Sequence, residues 1–122
     1  MPNQKFLDLL EAIVQRNSEA IFNHCYYLVS CTQEPVDAVQ HLINFYEGDL
    51  LRAREIPHRR DLVAYTEQTW ERLCALAQQQ SLDNFYTSLD CLRGLKNQLQ
   101  NNTLMSRTEV AGAIAYCCTC HL

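Results

Sequence analysis

A chain of 122 residues suits one domain, long enough to bury about two thirds of its unfolded surface without a covalent or metal staple. Three glycines and three prolines leave little material for tight β-turns or phosphate-cradling loops, which excludes most β and nucleotide-binding architectures. The formal charge of −4 is uneven: residues 1–51 carry seven acids against two bases, net −5, and residues 52–122 seven acids against eight bases, net +1. An acidic half argues against a general polyanion binder.

No apolar run approaches the about 18 residues of a membrane span, and the N-terminus is amphipathic rather than a charged start before an apolar block. Neither a transmembrane helix nor a signal peptide is expected. Seven cysteines, an odd count without a leader, point to reduced thiols in a cytoplasmic or nuclear compartment.

The first helix opens at Pro2–Asn3, with Phe6, Leu9, Leu10, Ile13 and Val14 on one stripe, and is expected to end near Asn17. Ser18 is the expected cap of a second, whose inward face holds Ile21, Phe22, Cys25, Leu28 and Val29. After a break at Thr32–Pro35, Pro35 takes the first position of a third helix with Val36, Val39, Leu42, Ile43 and Tyr46 inward and Gly48 as its stop. Residues 49–55 permit one or two further turns before Ile56–Pro57 ends them.

The segment 61–80, DLVAYTEQTWERLCALAQQQ, reads as the central helix. At about 100° per residue, Leu62, Val63, Thr66, Thr69, Trp70, Leu73, Cys74, Leu76 and Ala77 occupy half its circumference. Asp61 is its expected cap, and Trp70 is placed near the middle of the core. Ser81 caps the next helix, which carries Leu82, Phe85, Tyr86, Leu89, Leu92, Leu95 or the Lys96 stem, and Leu99 inward to about Gln100, with Gly94 marking a close crossing or a kink. Beyond a polar link at 101–103, Ser106 and Glu109 form a capping box flanked by Met105 and Val110 in staple positions. Val110, Ala113, Ile114 and Cys117 then face the bundle, and 118–122 is a short C-terminal tail. The expected fold is all-α: a single domain, 1–122, of about six helices (five to seven) with no β-sheet. In helix count alone it resembles death-fold modules and small Bcl-2-like bundles, a likeness that carries no function.

Three groups of residues bear on function. Arg52, Arg54, His58, Arg59 and Arg60 form the one basic cluster, with Leu50, Leu51 and Ile56 beside it and Asp49, Glu55 and Asp61 interrupting its charge. Mixed apolar and arginine composition is closer to a protein interface than to a nucleic-acid stripe. The C-terminal Cys117, Cys118, Cys120 and His121 include half of a zinc-type spacing that His24, Cys25 or Cys31 would have to complete, so zinc is not favoured; palmitoylation of Cys118 or Cys120 is a further option. His24 and Cys25 are adjacent and point about 100° apart on a helix, unlike a hydrogen-bonded nucleophile and base, and no phosphate-loop, hydrolase or metalloprotease motif is present.

The leading expectation is therefore a non-enzymatic interaction protein, an adaptor or inhibitor of the kind found among viral accessory factors, with another protein or a second copy of the chain as partner. Double-stranded RNA binding through Arg52–Arg60 is the alternative, and a zinc-stabilised helical module the third; otherwise no cofactor is expected.

Overall fold

The computed structural model describes residues 3–59, 65–101 and 104–122. These form α1 (Asn3–Val14), α2 (Ser18–Ser30), α3 (Pro35–Phe45), a π-turn (Tyr46–Leu50), α4 (Leu51–Glu55), α5 (Glu67–Ala77), α6 (Leu82–Gln100) and α7 (Arg107–Thr119), with no strand among the described residues. Because α3, the π-turn and α4 are one unbroken helical run, the architecture is an all-α bundle of six rods.

The innermost rod is α7, which packs against α2, α6 and α3. Val110, Ala111, Ile114, Cys117 and Cys118 are all buried, which takes in two sides of the helix. A helix apolar nearly all round belongs inside, and this one carries Val, Ala, Ile and Cys through its middle. Cys118, expected in a terminal tail, lies instead in the core beside Tyr46. The capping box forms as expected, with Ser106 Oγ accepting from the Glu109 amide at 3.1 Å and the Glu109 carboxylate accepting from the Ser106 amide at 3.0 Å. The Arg107 guanidinium ties this end to α2, donating to the Val29 and Gln33 carbonyls.

Several sequence expectations shift. Asn17, not Ser18, caps α2: its side chain accepts from the Ala20 amide at 3.2 Å, and the turn before it puts Arg16 at φ 55°. Val14, Leu82 and Tyr86, assigned inward, are exposed. Gly48 does not stop α3, because the helix widens there into the π-turn instead of ending. The extra residue in that turn shifts the helical phase, so that Phe45, Tyr46, Leu50 and Ala53 all reach the core. Tyr46 stacks on Phe85, ring centroids 5.5 Å apart. Gly94 is exposed, and a Cβ there would meet nothing within 4 Å, so it marks no close crossing.

The largest change is at the segment expected to be central. Residues 61–64, and with them the expected Asp61 cap, lie outside the described residues; Tyr65 is not helical, and Thr66 caps α5 by accepting from the Thr69 amide. Trp70 is buried as expected, but α5 packs chiefly on α1, α4 and the π-turn, at one side of the bundle. Arg72 holds it to α1 through Asp8 and Glu11.

Candidate functional site

The arginine-bearing segment begins in α4 and runs into the turn after it. Two groups, one on α5 and one at its C-terminal cap, hold it. Gln78 Nε2 donates to the Ala53 and Arg54 carbonyls at 3.3 and 3.2 Å, satisfying acceptors that the end of a short helix would otherwise leave open. The Trp70 indole donates to the Pro57 carbonyl at 2.8 Å, and the Arg59 amide closes a turn onto the Ile56 carbonyl at 3.0 Å. On the other flank, the Tyr65 hydroxyl donates to Asp49 Oδ2 at 2.8 Å. Burial, then the bond and charge of Asp49, push the Tyr65 hydroxyl above the usual tyrosine range, which keeps it a donor.

The expected partner-binding residues divide on this scaffold. Arg52, His58 and Arg59 are exposed, and Leu51, Arg54 and Ile56 are half-buried. Leu50 is only 1 % exposed and belongs to the core, because the π-turn rotates it inward. Arg60 lies outside the described residues. Arg52 pairs with Asp49 at 3.2 Å, Arg59 is engaged rather than free, and the buried Nε of Arg54 has no hydrogen-bond partner among the described residues. The cluster is therefore partly neutralised from within.

Sequence reading missed what lies beside it. Arg52 and Asp49 border an open depression of about 320 Å³ lined also by Phe6, His41, Asn44, Phe45 and Gly48. Phe6 and Phe45 stack with centroids 4.8 Å apart and are almost fully buried, whereas His41, Asn44 and Arg52 are exposed. An aromatic floor with a polar, arginine-bearing rim is the anatomy of a small protein-recognition site. The i, i+3, i+4 stripe of α1 marked Phe6 as core, but nothing in the sequence pairs it with Phe45.

The C-terminal thiols take a different arrangement. Cys117 and Cys118 are buried, while Cys120 and His121 are half-buried at the end of α7. Cys117 Sγ lies 2.7 Å from Cys91 Sγ on α6, and His121 Nδ1 lies 3.3 Å from the hydroxyl of the buried Ser88. His24 instead lines a shallow depression with Asp8, Glu11, Ala12, Gln15 and Ala20. Among the described residues no group of three or more His, Cys, Asp or Glu side chains is arranged to hold a metal ion. Burial pushes the Cys25 and Cys117 thiols well above the ordinary cysteine range and Cys118 up to about 12, so all three stand protonated at neutral pH. No helix among the described residues is long and apolar enough to cross a membrane. No protein-family model matches this chain, and neither a curated protein nor a solved structure matches it.

Proposed function

We propose that this chain is a non-enzymatic protein-interaction module that engages a partner through the α4 surface and the depression beside it. The observation that supports this reading most directly is the joining of an aromatic floor, Phe6 and Phe45, to a rim carrying Arg52, Asp49 and His41. Such a site takes one apolar side chain into the depression while the arginine fork meets a carboxylate at its edge. The bonds from Trp70 and Gln78 hold the arginine-bearing backbone in place before binding, which lowers the ordering cost of association. The partner chemistry that fits is a protein segment with an apolar anchor next to Asp or Glu. Internal pairing of the cluster by Asp49 weighs against a polyanion, which needs several uncompensated cations.

The test compares affinity capture by the wild type, by Arg52→Gln plus Arg59→Glu, and by a control carrying Asp83→Lys on the exposed side of α6. The exposed Arg52–Asp49 pair contributes only a few tenths of a kcal/mol, and the melt of every variant is recorded beside its capture, so that loss of fold is told apart from loss of binding. Proteins captured by the wild type and the control and lost from the double variant support the reading. Equal capture by all three overturns it. A nucleic-acid shift that weakens steeply with salt would replace it with the RNA alternative.

A further inference from the structure

The seam between α6 and α7 brings thiols together away from the α4 surface. Cys91, near the middle of α6, and Cys117, on α7, place their sulfurs 2.7 Å apart, against roughly 2.05 Å in a formed disulfide. Cys120, one turn further along α7, also contacts Cys91, so a single α6 thiol is flanked by two from α7. Cys118 takes no part in this contact: its sulfur faces the Tyr46 hydroxyl at 3.7 Å in the core.

Access is graded along the cluster. Cys91 and Cys120 are half-exposed, whereas Cys117 is 3 % exposed. One turn beyond Cys91 on the same side of α6 stands exposed Gly94, where a Cβ would meet nothing from the rest of the fold within 4 Å. Gly94 thus adds no side chain beside half-exposed Cys91.

We propose that Cys91 and Cys117 are a disulfide-forming pair, oxidised by a small-molecule disulfide such as oxidised glutathione. The Cys91 thiolate attacks one sulfur of the small disulfide; that S–S bond breaks and one thiolate leaves, taking up a proton from solvent. Cys117, deprotonated in turn, attacks the Cys91 sulfur and expels the second small thiolate. In sum, two protein thiols lose two protons and two electrons, and the small disulfide takes up both to become two thiols. The second step is the slow one, because burial holds the Cys117 thiol protonated. The product staples α6 to α7 across a sequence separation of 26 residues and restricts the unfolded chain, which is worth a rise in Tm of about 10 °C.

The experiment equilibrates the folded, full-length chain in mixtures of reduced and oxidised glutathione, then quenches, alkylates free thiols and maps linkages by mass spectrometry without reduction. Cleavage after Arg93 and Arg107 separates the two partners, and fragmentation of the linked peptide assigns the sulfurs. The expected result is a Cys91–Cys117 link in a monomeric band at the oxidised end, with the rise in Tm. Cys91→Ser, at the half-exposed position, should lose both while keeping the Tm of the reduced protein, which avoids reliance on a substitution at buried Cys117. Finding both thiols alkylated in the most oxidising mixture, in a protein that still melts cooperatively, overturns the proposal. So does a predominant link from Cys91 to Cys120 or to a second chain.

Discussion

Replacing Trp70 by Phe separates two roles that the indole plays at once, filling the space between α4 and α5 and holding the arginine-bearing turn. The ring is 3 % exposed and its N–H donates to the Pro57 carbonyl at 2.8 Å. Phe keeps most of the apolar contact and gives up on the order of 40 Å² of burial, or about 1 kcal/mol at roughly 25 cal/mol per Å². An orphaned buried carbonyl would add about 1–3 kcal/mol, but Pro57 is an exposed residue and the Cys74 thiol also reaches its carbonyl at 3.9 Å, so the lost hydrogen bond costs about 1 kcal/mol. The expected total is about 2 kcal/mol, against about 3–5 for Trp70→Ala. Urea denaturation followed by far-ultraviolet circular dichroism measures it. Hydrogen exchange of the Arg59 amide, which closes its turn onto Ile56, reports the local part. If the indole pins this turn, Arg59 should lose protection by more than the buried amides of α2 do. A cost below about 0.5 kcal/mol, or a full cost with Arg59 and α2 losing protection equally, refutes the reasoning: the indole would be filler and the turn would hold itself.

Gly94→Ala should stabilise the protein by about 0.5–1 kcal/mol, because the exposed middle of α6 has room for the methyl and alanine loses less backbone entropy; an unchanged or lowered Tm would mean that α6 bends there. Ser106→Ala should cost about 1 kcal/mol through the lost cap of α7, read by urea denaturation. The bonds from Ser106 hold the Glu109 carboxyl below its ordinary value of 4.5, so its contribution is complete above that pH and disappears as pH falls through the lower folded value. Glu109→Gln should correspondingly flatten that part of the acid-side loss of stability. Arg107→Lys should cost about 1–2 kcal/mol, since one ammonium cannot reproduce the fork that reaches both Val29 and Gln33; equal stability would show that either carbonyl is served by water.

Local chemistry was legible wherever one segment decides its own fate. The Ser81 cap, the span of α6, Pro35 at the first position of α3 and the Ser106–Glu109 box all follow from residues within a turn of one another. Rank within the bundle was harder to read. A broad apolar face made 61–80 look central, yet Thr66, counted on that face, is spent as a cap, and α5 sits to one side. The true centre announced itself differently: Ala111, Ala113, Ala115 and Cys118 supplement the stripe of Val110, Ile114 and Cys117, so α7 has little polar surface left to show water. At the candidate surface the exposure of Arg52, His58 and Arg59 could be foreseen from composition. The Phe6–Phe45 floor and the Cys91–Cys117 contact could not, because each joins residues far apart in the chain that only tertiary packing brings together.

The central place of α7 also orders events in time as the chain is made. Its receiving faces on α2, α3 and α6 are all translated before it. Between the last residue of α2 and the last of α7 lie roughly 90 residues, about 5–20 s of synthesis at typical rates. For that interval the face of α2 that α7 covers meets solvent or a provisional cover rather than its final neighbour. The nascent chain is thus a sticky, half-built bundle until its last described helix arrives, and chaperones that shield apolar helix faces would find their substrate in it before anything folded exists.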